Sequence, residues 1–107
     1  MQLLFIEIRT RIENFILKNF KNKLIMLKLS GEALMGKKDF GIDLETINSI
    51  TEQIVIAYNN GVKISIVVGG GNIFRGILGS SKGMDRSSAD YTGMMATVIN
   101  SLILQNI

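Results

Sequence analysis

The chain is 107 residues long, carries 12 basic against 9 acidic side chains for a net charge of +3, and contains no Cys, His, Trp or Pro. That length holds one small domain, and the missing residue types exclude disulfides, thiol nucleophiles, the usual zinc sites and any triad built on His. What remains for chemistry is Lys, Arg, Asp, Glu, hydroxyls and backbone, a set suited to gripping phosphate with cations and N–H groups and Mg2+ with hard oxygens.

The net charge lies in the first 23 residues, where Arg9, Arg11, Lys18, Lys21 and Lys23 outnumber Glu7 and Glu13; the remainder is neutral. A basic domain surface is therefore absent, and no nucleic-acid partner is expected. Phe5, Ile8, Ile12, Phe15 and Ile16 recur at helical spacing, which predicts an amphipathic helix. Glu7 and Arg9 break the apolar run and no small-residue cleavage site follows, against a secretory signal. No run approaches the roughly 18 apolar residues that span a bilayer, so no membrane partner is expected. Residues 1–22 read as an N-terminal extension of unknown role, dispensable for a domain that occupies residues 23–107.

Leu24–Leu29 is apolar apart from Lys28 and stops at Ser30-Gly31, the pattern of a buried strand running into a turn. Gly36 to Gly41 is polar and glycine-flanked, predicting a mobile loop. Asp43 is placed to cap a helix whose stripe is Leu44, Ile47, Ile50, Ile54, Val55 and Tyr58, with Asn60-Gly61 as its stop. Val62 to Val68, rich in β-branched residues, predicts a second strand, parallel to the first through a right-handed βαβ crossover. Beyond the glycine run Gly69-Gly70-Gly71, Asp85 is placed as the N-cap of a last helix. There Tyr91, Met94, Met95, Val98, Ile99, Leu102 and Ile103 trace one apolar helical face, too continuous for a solvated surface. Two strands and two apolar helices cannot cover both faces of a parallel sheet, so the expected architecture is the first part of a larger α/β domain. Its exposed apolar surface is expected to drive association of the isolated chain.

Three motif matches fail on chemistry. Gly31 to Lys38 approaches a phosphate-binding P-loop, but Lys38 stands where the Mg2+-binding hydroxyl is required. Asp39-Phe40-Gly41 copies the protein-kinase metal motif in a chain with no His for the catalytic loop. Phe74 occupies the position of the third glycine that a dinucleotide fingerprint needs after Gly69 and Gly71. The glycine run itself, following a strand, permits close backbone approach and an inward-facing nest of N–H groups for an anion, or simply a tight turn. Lys28 places a cation near the same sheet edge, or is a solvated edge residue that snorkels, and Arg75 adds a second cation a few residues beyond the glycines. Asp90 lies past the capping region, as a solvated residue or a ligand for a sugar hydroxyl.

Lys28 to Leu34 (KLSGEAL), Phe40 to Asp43 (FGID), Val67 to Gly76 (VVGGGNIFRG), Gly83 to Arg86 (GMDR) with Asp90, and Met94 to Asn100 (MMATVIN) recur in one order and register. From about Lys23 to Gln105 the chain closely resembles the bacterial uridylate (UMP) kinase branch of the amino acid kinase family. The resemblance implies an α/β sandwich with a mostly parallel sheet and transfer of the ATP γ-phosphoryl group to UMP. It also implies a Mg2+ requirement, a homohexamer and a cytoplasmic place in pyrimidine nucleotide synthesis. By position it implies ATP contacts at Lys28, Leu29, Ser30, Gly31, Gly71 and Arg75, with Lys28 the catalytic cation on the transferring phosphoryl. UMP contacts are implied at Gly70 and Asp90. A loop linked in some members to GTP activation is implied at Gly36, Lys37, Lys38, Asp39, Phe40 and Gly41. No protein side chain is assigned to a metal.

The family's domain continues beyond this pattern and there supplies the adenine pocket, further UMP contacts and a catalytic Asp, so a truncated, inactive chain is the expectation. Another member of the family, acting on an acyl or carbamoyl group, would keep the glycine nest but lose GMDR and Asp90. A non-catalytic nucleotide-binding remnant would share every residue seen here.

Overall fold

The computed structural model describes residues 2–5, 13–74 and 83–107. Its elements are β1 (Gln2–Phe5), α1 (Glu13–Phe20), β2 (Leu24–Leu29), a 3-10 turn (Gly31–Leu34), α2 (Leu44–Asn59), β3 (Lys63–Val68) and α3 (Arg86–Asn106). The strands form a three-stranded sheet in the order β1-β2-β3, parallel at both junctions, so the protein is α/β with β2 at the centre.

β2 alternates because successive side chains of a strand point to opposite faces. Ile25, Leu27 and Leu29 are fully buried, in register with Ile64, Ile66 and Val68 of β3. One cluster joins Ile25, Leu27, Leu29 and Val68 to Ile16 and Phe20 of α1 and to Ile47, Ile50 and Ala57 of α2, with Ile64 of β3 and Ile103 and Leu104 of α3 packed against it. Burying each large member stabilises the fold by roughly 1.5–3 kcal/mol. On the opposite face Lys28, Ser65 and Val67 are exposed.

The N-terminal segment departs from the expected single helix. Gln2–Phe5 is a strand, paired parallel from Gln2↔Ile25 to Phe5↔Lys28. Pairing outweighs the helical period because it satisfies the backbone N–H and C=O groups along the free edge of β2. The described helix, Glu13–Phe20, seals the core with Ile16, fully buried, and Phe20. The segment expected to be dispensable thus supplies core residues; Glu7, Ile8, Arg9, Arg11 and Ile12 of the expected helix lie outside the described residues. Asn22, at φ 62°, turns the chain from α1 into β2, a conformation Asn tolerates better than most residues.

The α2 stripe also differs from expectation. α2 starts at its Asp43 cap as expected, yet Leu44, Val55 and Tyr58 are exposed, and the buried positions are Ile47, Ile50, Gln53 and Ala57. In α3 the apolar stripe faces outward, with Tyr91, Met94, Met95, Val98, Ile99 and Leu102 between 45% and 64% exposed. Its inward residues are Ala96 and Asn100, one helical turn apart, followed by the half-buried Ile103 and Leu104. A small residue and an amide face inward because the helix meets backbone there rather than a greasy sheet.

Two outcomes follow from this packing. Ile16→Ala should lower unfolding free energy by about 2–5 kcal/mol in urea titrations, the usual cost of emptying a closed aliphatic site. The outward α3 stripe should make the chain self-associate, so that sedimentation velocity shows species growing with concentration. The Val98→Lys, Leu102→Lys double variant should shift them toward monomer.

Candidate functional site

β2 and β3 end together. The Gly69 N–H donates to the Leu29 carbonyl at 2.9 Å, carrying the ladder one residue past β3. The segments after both strands therefore leave the carboxyl edge side by side, the usual place for a ligand in an open parallel sheet. Ser30 caps the 3-10 turn, its hydroxyl accepting from the Ala33 N–H at 3.3 Å.

Backbone meets backbone where Gly31 faces Gly70 and Gly71, and the Glu32 carboxylate rests against Gly71. A Cβ on Gly31 would lie 2.6 Å from the Gly71 nitrogen and 2.7 Å from Asn72 Oδ1. One on Gly70 would meet Ala96 Cβ at 2.8 Å and the Thr97 nitrogen at 3.0 Å, and one on Gly71 would meet the Glu32 carboxylate at 2.6 Å. Gly69, Gly70 and Gly71 are absent from the residues with positive φ. Close approach, not turn geometry, is what these three glycines serve. The Gly69 N–H is committed to the sheet, so it is not part of a nest. The Gly70 carbonyl accepts from Ile73 and Phe74 at 3.0 and 3.1 Å, starting a helical turn at residues 71–74. The Gly71 and Asn72 N–H groups are first-turn donors, which have no carbonyl one turn behind them.

The structure brings Leu29, Ser30 and Gly31 together with Gly70 and Gly71. Leu29 acts there through its backbone, its side chain being fully buried in the core. Lys28, in register with Val67, is exposed and projects from the face opposite Leu27 and Leu29. Asp90 is exposed on α3 and lies 3.8 Å from Arg86 Nε. Gly93, about one turn further on, approaches Phe74, and Ala96 and Thr97 lie over Gly70. Asp90 therefore sits on the helix that crosses the glycine segment, nearly two turns before Ala96 and Thr97 make the crossing. Arg75 lies outside the described residues.

The Gly36–Gly41 loop, expected to be mobile, is tied at both ends. The Lys38 N–H donates to Met35 O at 3.0 Å, the Gly41 N–H to Asn72 O at 2.8 Å, and the Asp43 N–H to Leu34 O at 2.8 Å. Lys38 Nζ donates to Ile42 O at 3.1 Å and lies 4.0 Å from Asp43 Oδ1, so this cation is turned back onto its own loop. Lys37, Asp39 and Phe40 are exposed. Gly36 and Gly41 have φ of 58° and 81°, a left-handed backbone that favours glycine.

Sequence reasoning passed over Asn72 and Asn100. Both are buried, 1% and 0% exposed, and they bond to each other between the glycine segment and α3. The available signal was Asn100 interrupting the run Met94 to Leu104. Among the described residues no group of three acids is placed to hold a metal ion, and no helix is long and apolar enough to cross a membrane.

The sequence profile of the amino acid kinase family matches residues 23–107. The chain belongs to this family. It is 58% identical over 89 residues to a uridylate kinase of Rickettsia bellii, covering 83% of this chain and 37% of that protein. Among solved structures, the UMP kinase of Bacillus anthracis superposes with a TM-score of 0.71 at 40% identity, covering 80% of this chain and 35% of the other. The UMP kinase of Ureaplasma parvum gives 0.65 at 42% identity, covering 80% and 37%. This family chain thus spans little more than a third of the length of these relatives.

Both caps have an electrostatic signature. Asp43 is held below the ordinary aspartate value of 3.8 by hydrogen bonds from the Thr46 hydroxyl and N–H, helped by Lys38. Asp85 is lowered likewise by bonds from the Ser88 N–H and hydroxyl. A carboxylate whose folded pKa is depressed contributes stability that is complete above its unfolded pKa and is lost as pH falls through the folded one. Asp43→Asn keeps an acceptor at the cap but removes this titration. Urea midpoints compared between pH 7 and pH 3 should therefore fall less in the variant than in the wild type.

Proposed function

We propose that this chain carries the phosphate-gripping part of a uridylate kinase, an enzyme that moves the γ-phosphoryl group of ATP onto UMP. One observation carries the reading: Gly31 is packed against Gly70-Gly71 at the carboxyl edge of a parallel sheet whose central strand carries Lys28, in a chain 58% identical over 89 residues to a Rickettsia bellii uridylate kinase.

In this reading Lys28, Leu29, Ser30, Gly31, Gly71 and Arg75 serve ATP, and Gly70 and Asp90 serve UMP. Phosphoryl transfer asks the protein for positioning and for charge placed where the transition state develops it. The Lys28 ammonium supplies that charge, while Ser30, Gly31 and Gly71 hold the phosphates with backbone and hydroxyl groups. Mg2+ would come with ATP as the phosphoryl donor and would supply charge that offsets the phosphates. The loop from Gly36 to Gly41 is the effector element, responding to GTP. A cytoplasmic homohexamer completes the proposal.

A coupled assay of UDP formation tests it. The chain alone should give no product above background, because it spans about a third of the relatives' length. Fused to the part of the Rickettsia bellii kinase that follows the matched segment, it should turn over ATP and UMP. In that fusion Lys28→Ala should reduce kcat by about 10²–10³ with little change in KM for UMP, as loss of a transition-state contact does. Asp90→Ala should act mainly on KM for UMP. A folded fusion without activity, or both variants acting only on KM for ATP, overturns the assignment.

A further inference from the structure

Asn72 and Asn100 form a closed circuit of amide hydrogen bonds. Asn72 Nδ2 donates to Asn100 Oδ1 at 3.2 Å, and Asn100 Nδ2 donates back to Asn72 Oδ1 at 2.7 Å. The second N–H of each amide goes to the backbone of a different segment: Asn72 to Gly41 O at 3.0 Å, Asn100 to Gly69 O at 2.8 Å. Each amide has two donors, and all four are used. Because Gly41 O and Gly69 O can only accept, they fix which way both amides point. The backbone adds the Gly41 N–H donating to Asn72 O at 2.8 Å, and Gly31 packs directly against Asn72 Oδ1.

Burial alone does not call for this pair. Two buried amides are costly to desolvate unless fully bonded, and apolar residues of the same shape would fill the space without that cost. What apolar residues lack is direction. Four bonds set the rotation and height of α3 against Gly69 and hold the Gly36–Gly41 loop to the glycine segment. We propose that the Asn72–Asn100 pair is a positioning device that couples these elements, so that a nucleotide phosphate bound at Gly69–Gly71 orders the Gly36–Gly41 loop. Coupling of this kind is reciprocal: a ligand that orders the loop tightens the phosphate site by the same factor. The proposal deepens the kinase reading and rests on it for the identity of the ligand, whereas the link between the loops rests on the hydrogen bonds alone.

Hydrogen–deuterium exchange on the full chain, with and without millimolar ATP, tests the two parts separately. In the wild type, ATP should slow exchange in peptides covering both 69–74 and 36–42. The Asn72→Leu, Asn100→Leu double variant preserves shape and leaves no side-chain amide unpaired, but it removes the donors to Gly41 O and Gly69 O, so its melting temperature should fall while the transition stays cooperative. ATP should still protect 69–74 in this variant while exchange at 36–42 becomes independent of ATP, a separation that a purely structural role does not produce. Without ATP, Asn72→Ala should speed exchange at 36–42 by about tenfold, the weight of one lost hydrogen bond, and leave β2 unchanged. The coupling is overturned if the double variant still transmits protection to 36–42, if wild-type protection stops at 69–74, or if Asn72→Ala leaves 36–42 unaffected. If ATP protects neither segment of the wild type, the nucleotide reading fails, and the ligand-free Asn72→Ala comparison still decides the link.

Discussion

Everything at the candidate site depends on how closely two backbone segments approach at the carboxyl edge of the sheet. Parallel pairing of β2 with β3, extended by the bond from Gly69 to Leu29, makes the chain leave both strands at one level. No room for a side chain remains between the segments, since a methyl group on Gly31 would overlap the Gly71 nitrogen. Glycine is needed here because a neighbour's backbone occupies the place of Cβ. At this edge the first-turn N–H groups of Gly71 and Asn72 lie beside the Glu32 carboxylate.

This contact also explains the orientation of α3. A helix that crosses Gly70 at van der Waals distance must present a small residue there, and Ala96 does so. One turn later Asn100 meets Asn72 and Gly69, and only beyond that point do Ile103 and Leu104 reach the core. The larger apolar side chains, from Tyr91 to Leu102, are thereby turned outward. Their exposure follows from the requirement at the glycine segment, because a helix has one rotation and the glycine contact sets it.

Local signals in the sequence carried much of this. Asp43 and Asp85 were legible as caps because a carboxylate before a helical run has few other uses, and the bonds from Thr46 and Ser88 are those of caps. Strands β2 and β3 were legible from β-branched and aliphatic runs ended by glycine. The rest of the site was not legible. Asn72 and Asn100 stand 28 positions apart and show no shared local pattern. Gln2–Phe5 has a strand conformation only because the edge of β2 lies beside it.

By itself, then, the sequence determined which residue types are available for chemistry, where helices begin, which runs are strands, and, through the KLSGEAL and VVGGGNIFRG segments, which family the chain resembles. These properties reside in neighbouring residues, whose backbone preferences and hydrogen bonds act over a few positions. Tertiary structure alone decided that the N-terminal segment joins the sheet and core, that α3 turns its apolar stripe outward, and that two asparagines tie the Gly36–Gly41 loop to the glycine segment. Each of those outcomes depends on a partner distant in the chain, and the energy that selects it, backbone pairing at an edge or a buried amide finding its acceptor, exists only once the chain has folded.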